Sequence, residues 1–356
     1  MYKVSDILLN IKSNHLVNLI ITTLVILFFF IGFSPVEVKA LVIKMAVVMP
    51  EKSTWANTLH EFAASVKKDT EGEVSFKIYA GGISGDESNV LRKMRVNQLH
   101  AAGFSGVGLG YVLPEIRILE MPLLFNNYQE VDLVKEKLFA HFSAAFEKKG
   151  YVLLGFAEAG FVYFFSKKNI ADEKIIKKIK MWVWKGDRVA KTFLSTFGIK
   201  YVPLHLTDVN TGLETGMVDS FYAPPLAAVA FQWYAKIRYM LDFPMVNSTG
   251  ALLMNKRTFN KLSIKNRIIL KKTAKKYAAQ MVTLTRQDNS TALEVLKESG
   301  IKFVLPNKNQ IAAFHNNALK TCEKNYSKLY SKELFERIKK ILTQYRARNS
   351  KESEKE

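Results

Sequence analysis

The feature that most constrains the fold of this chain is a strict alternation between residues 41 and 104. Short apolar runs there are separated by stretches with helical spacing. Leu41 to Val48 reads LVIKMAVV and stops at Pro50, the pattern of a buried strand. Ser53 or Thr54 can cap a helix reaching Lys68, with Trp55, Leu59, Phe62, Ala63 and Val66 at helical spacing. Val74 to Tyr79 alternates as a strand, Gly81, Gly82 and Gly85 make a loop, and Glu87 to Asn97 resumes helical spacing before a strand at Ala101 to Phe104. Strand, helix, strand order requires crossover connections, which implies parallel strands with ligand loops at their carboxyl ends.

The second half repeats the order with different detail. Val152 to Phe156, Tyr163 to Ser166, Met181 to Trp184 and Lys200 to Pro203 read as strands. Arg188 to Phe197 is a helix ended by Gly198, and Asp208 to Thr215 one ended by Gly216. Lys256 to Ser299 is helical in pattern almost throughout, long enough to run across two lobes. Residues 349–356 have the composition of a disordered tail.

At the N-terminus, Leu16 to Phe33 carries no charge, follows Lys3 and Lys12, and precedes Val38-Lys39-Ala40. This is the order of a secretory signal peptide cut after Ala40, with an uncleaved membrane anchor as the alternative. The rest of the chain is then predicted to be exported, into the periplasm. No cysteine lies near that site, and Cys322, the single cysteine, cannot form an internal disulfide.

The formal charge of +20 invites a nucleic-acid reading, but lysine outnumbers arginine 41 to 11 and no helix-turn-helix, RNP or zinc-finger pattern is present. A solvated lysine surface is the simpler source, and Lys320, Lys324, Lys328 and Lys332 are spaced to form one wet helical face. Catalytic chemistry is equally hard to find. Ser105 lacks the second glycine of a nucleophile elbow because position 107 is Val, and the glycines at 106, 108 and 110 do not complete a dinucleotide fingerprint. They read as backbone brought close to a pocket. His205 is the one histidine placed near such a pocket. Neither a cofactor, a metal site nor an enzyme activity is expected.

Residues 198–225 narrow the field. Gly198-Ile-Lys-Tyr-Val-Pro-Leu, then Leu213-Glu-Thr-Gly-Met-Val-Asp219 and Pro224, together with the glycine turn before Asp86 and Glu87 and Pro114-Glu115 followed by Met121-Pro-Leu-Leu-Phe125, form an ordered set. In this set the chain resembles the DctP-like solute receptors of TRAP transporters. The resemblance implies an α/β, two-lobed periplasmic binding protein fold with mixed sheets, hinge strands and a long helix spanning both lobes. On that fold, residues 41–165 with about 250–290 make lobe I, and 166–249 with about 291–348 make lobe II. It also implies a small-molecule ligand, transfer to TRAP permease membrane subunits, and no nucleic-acid partner.

Most members of that family clamp a carboxylate with an arginine, and here Trp182 stands in its place. Val162 falls at a second cleft arginine, and Tyr222-Ala223 replaces a polar pair before Pro224. These changes lead to the expectation of an apolar or amphipathic ligand held by Trp182, Trp184, Tyr222, Ala223, Phe161, Val162, Tyr163 and Asp208, as in the branch of the family associated with a tetratricopeptide-repeat lipoprotein. Two alternatives stand beside it: a carboxylate receptor in which Arg188 or Lys185 has taken over anion binding, and a sensory or scaffolding module on the same fold.

Overall fold

Residues 40–353 are described by a computed structural model. The apolar run at 16–33 lies outside these residues. Among the described residues no helix is long and apolar enough to cross a membrane.

The first elements are β1 (Leu41–Ala46), α1 (Thr54–Asp69), β2 (Val74–Tyr79), α2 (Glu87–Arg95) and β3 (Ala101–Ser105). Ser53 caps α1 by accepting from the Ala56 N–H at 3.3 Å, and Trp55, Leu59, Phe62 and Val66 form its buried stripe. β1 lies between β2 and β3 and is parallel to both, as helical crossovers require. α3 (Gly106–Val112) begins where β3 ends, a 3₁₀ turn covers Pro114–Glu120, and α4 (Tyr128–Lys148) follows.

β4 (Tyr151–Ser166) is a single strand of 16 residues where the pattern suggested two. Gly155 and Gly160 interrupt the apolar alternation because other elements come close there. A Cβ on Gly155 would lie 2.6 Å from that of Ala278, and Gly160, at φ +102°, sits at a bulge with the Asn289 amide 2.5 Å from where its Cβ would be. Then come β5 (Lys180–Trp184), α5 (Arg188–Phe197), β6 (Lys200–Leu204), α6 (Val209–Glu214), β7 (Ser220–Ala223), α7 (Pro225–Ala230) and β8 (Tyr239–Asn255). α8 (Ile264–Glu298), β9 (Lys302–Val304), α9 (Lys308–Asn325) and α10 (Lys332–Ser353) complete the chain. Gly198 and Gly216, at φ +80° and +71°, follow α5 and α6 as expected.

The strands form one mixed sheet in the order β2-β1-β3-β8-β4-β7-β5-β6, with β9 on β8. β8, 17 residues long, runs antiparallel to both β3 and β4. At about 3.3 Å per residue, β4 and β8 each extend about 50 Å, so both halves of the sheet share them. The parallel order read from the first 104 residues therefore holds only locally. Purely local spacing cannot reveal that a strand 150 residues later inserts beside β3.

In the first half, α1 and α8 cover one face, with Phe62, Leu270 and Met281 packed on Ile43 and Met45. The other face carries α2 and α4 around Phe104. In the second half β5 alternates, sending Met181 and Val183 to one cluster and Trp182 to the other. α8 starts after the Ser263 cap rather than at Lys256, and at 35 residues it spans about 50 Å, reaching the second half through Leu296. Three local expectations differ. α10, assigned from sequence to the second lobe, packs Leu334, Ile338 and Leu342 with Phe142 and Phe146 of α4 in the first half. It also stays helical to Ser353, through residues read as a tail. Lys320, Lys324, Lys328 and Lys332 are exposed but do not share a helix, because Leu329 and Tyr330 turn back into the core between α9 and α10.

Candidate functional site

Two adjoining cavities, of about 80 and 120 Å³, share Ser105, Val162, Trp184, Tyr222 and Ser248 and so form one cleft. Ser105, Trp184 and Ala223 end β3, β5 and β7, which places the cleft at the carboxyl ends of parallel-type strands.

The smaller compartment has a charged floor. Arg117, 5% exposed, donates through Nη2 to Asp187 Oδ1 at 2.6 Å, and its Nη1 lies 2.7 Å from Glu120 Oε2. The Nη1 contact is an ion pair without hydrogen-bond alignment, so this buried group is held by charge alone. Asp187 also caps α5 through the Ala190 N–H and accepts from the Tyr222 hydroxyl at 2.7 Å. Glu120 Oε1 accepts from the Thr249 N–H of β8 at 2.8 Å. Burial pushes Glu120 up to about 7, although Arg117 pulls the other way. Burial first, and Asp187 second, raise the Tyr222 phenol well above its ordinary value.

A third buried carboxylate, Glu87, closes the floor of the larger compartment. It accepts from the Ser105 N–H at 2.6 Å and from the Ser105 hydroxyl at 2.7 Å. Those bonds stabilise its charge, yet burial dominates and holds it at about 7. The glycines of α3 explain how these groups fit. A Cβ at Gly106 would strike the Glu120 carboxylate, one at Gly108 would lie 2.6 Å from Glu87 Oε2, and one at Gly110 would lie 2.9 Å from Arg117 Cδ. The alternating glycines read from sequence as a backbone approach thus make room for the three charged side chains of the floor.

The larger compartment is aromatic. Trp182, 2% exposed, stacks on Tyr222 at 5.4 Å between centroids and meets Trp233 edge-on at 5.3 Å, while its Nε1 donates to Leu204 O. Trp184, Phe231 and Trp55 complete the wall.

Of the residues expected at the site, Trp182, Trp184, Tyr222, Ala223 and Val162 are brought together. Phe161, Tyr163 and Asp208 are not among the residues lining either compartment. Phe161, next to Val162 on β4, packs on Tyr128, and Tyr163, at a break in the β4–β8 register, packs with the cluster that holds Trp182 and Trp184 without lining the cavity. Asp208 is exposed, in the turn before α6. Lys185 and Arg188, offered as relocated anion binders, are also exposed. The one arginine lining the cleft is Arg117, hidden in sequence between Pro114-Glu115 and Met121-Pro122. Three contacts tie the sides of the cleft together: Arg117 to Asp187, the Tyr111 hydroxyl to Lys185 O at 2.9 Å, and His205 Nδ1 to Asp86 Oδ2 at 2.9 Å.

Residues 45–329 match the DctP family, described as bacterial extracellular solute-binding protein, family 7. The chain belongs to the DctP family. Among its relatives is the 2,3-diketo-L-gulonate-binding periplasmic protein YiaO of Escherichia coli, 21% identical over 250 residues, 68% of this chain and 75% of that one. The sugar acid binding protein DctPAm of Advenella mimigardefordensis, solved with galactonate, superposes with a TM-score of 0.81 at 22% identity, covering 86% of this chain and 99% of that one. A TRAP periplasmic solute binding protein of Desulfovibrio salexigens, solved with orotic acid, gives 0.80 at 18% identity, over 85% and 99%. These matches establish the two-lobed DctP fold for this chain. They also correct the expectation of an apolar ligand: the solutes held by these relatives of known structure are polar acids, and the cleft here has a buried charged floor.

Proposed function

We propose that this DctP-family chain is the periplasmic receptor of a TRAP-type transporter and that it captures a small polar solute bearing a carboxylate. The observation that carries this reading is Arg117. It lines the cleft, is almost fully buried, and has an Nη1 that pairs with Glu120 by charge but makes no aligned hydrogen bond. A ligand carboxylate can accept from that Nη1, while Glu120, near neutrality at pH 7, can hold a proton and donate rather than repel. Trp182 occupies the position at which the family resemblance expects an arginine, and Arg117 supplies a cation from a different element. Closure of the two half-sheets over the ligand would then be secured by Tyr111, His205 and Arg117, and the loaded receptor would dock on membrane permease subunits.

Calorimetric titration with a panel of small organic acids, including galactonate, orotate and amino acids, tests this. At least one acid is expected to bind at about micromolar affinity, and its carboxamide to bind about a hundredfold more weakly. A panel in which carboxamides bind as well as the acids would overturn it.

A further inference from the structure

All four tryptophans of the chain, Trp55, Trp182, Trp184 and Trp233, line the larger compartment of the cleft. Tyr222 and Phe231 lie beside them, and the carboxylate of Glu87 is on the floor. Indole rings carry negative potential on their faces, so a cavity lined by four of them beside a carboxyl group favours a positive charge above a neutral group of the same shape. The Thr249 hydroxyl lines the same space, is 1% exposed and has no hydrogen-bond partner.

The charge balance points the same way. The two compartments are lined by three carboxylates, Glu87, Glu120 and Asp187, against one cation, Arg117, which already faces two of them. With Asp187 already paired to Arg117 and two further carboxyl groups that ionise at about 7, a simple anion would enter an enclosed space that holds no second cation. A ligand that brings a cation with it supplies one.

We infer that the solute carries a positively charged nitrogen as well as its carboxylate, and that the cationic end, an alkylammonium or quaternary ammonium group, sits in the aromatic compartment against Glu87. The inference rests on the receptor reading above and deepens it. The carboxylate lies in the Arg117 compartment, and the shared residues Ser105, Trp184 and Tyr222 flank the junction between the two ends.

Because every tryptophan of the protein faces this cavity, intrinsic fluorescence reports its occupancy directly. Choline and its neutral isostere 3,3-dimethyl-1-butanol, titrated separately into the full-length protein, isolate the charge from the shape. Choline is expected to perturb the emission with a dissociation constant about tenfold lower than that of the isostere. Glu87→Gln is expected to remove that difference while leaving the isostere unchanged. Trp184→Leu, at a half-buried position, is expected to reduce it should Glu87→Gln fail to fold. Equal response to both probes, or response to neither, overturns the inference. A protein that binds galactonate but does not distinguish choline from its isostere keeps the carboxylate reading and loses this one. Preference for choline with no affinity for any acid of the panel would do the reverse.

Discussion

The two compartments of the cleft meet at the same five residues but are held together by opposite means. Around Arg117 a set of charges is pinned by directional bonds to β8, to the α5 cap and to Tyr222. Around Trp182 the walls are indole and phenol rings in contact, with one carboxylate below. Removing a partner from the first leaves an unpaired charge in a buried place. Removing a ring from the second leaves a void that neighbours can partly fill. The difference teaches that the charged compartment is built as a fixed fork joining elements on both sides of the cleft, whereas the aromatic one is a shaped volume.

The sharpest way to break this contrast is Arg117→Met. It leaves Asp187 and Glu120 without a cation and is expected to cost about 3 to 5 kcal/mol in denaturant unfolding. A loss below about 1 kcal/mol would mean that the fork is not what joins the two sides. Trp182→Ala is expected to cost a similar or slightly smaller amount, about 3 to 4 kcal/mol, because the indole is packed between Tyr222 and Trp233 and not simply exposed to the cleft. Relaxation of the cavity should show as a shifted emission from the remaining tryptophans.

The titration of the two buried glutamates gives a smaller effect of predictable sign. Glu87 and Glu120 stand at about 7 in the folded protein against the ordinary 4.5, so the folded state binds more protons between about pH 4.5 and 7. Stability should therefore fall as pH rises through that window, by about 1 to 3 kcal/mol per group. Unfolding midpoints compared at pH 5.5 and 7.5 measure it, and Glu87→Gln with Glu120→Gln together should flatten the dependence. Tyr222→Phe, which takes one hydrogen bond from Asp187, is expected to cost about 1 to 2 kcal/mol and to be felt in the charged compartment more than in the aromatic one. Asp208→Ala should change ligand affinity less than about twofold, since the residue is exposed and lines neither compartment; calorimetry with the acid identified above would show it.

Much of the framework was legible in the chain itself. Apolar spacing and caps located β1, α1, β2 and α5 to within about two residues, since these elements are decided by contacts made within one turn or one strand. Trp182, Trp184 and Tyr222 were expected at one cleft through the family resemblance, and they line it where β5 and β7 end. Phe161 was expected to line the cleft beside Val162 but packs on Tyr128, because successive residues of a strand face opposite ways. Arg117 and Glu120 were missed altogether, although Gly106, Gly108 and Gly110 announced that something bulky approached α3.

Sequence by itself thus determined the local elements, which depend on spacing along the chain, and, through an ordered set of motifs, the family. Tertiary structure alone decided that β8 inserts between β3 and β4, that α10 returns to α4, and that Arg117 meets Asp187 across 70 residues. The reason is that a buried charge takes whatever partner the fold brings within about 3 Å, and no periodicity in a chain records which distant residue that will be.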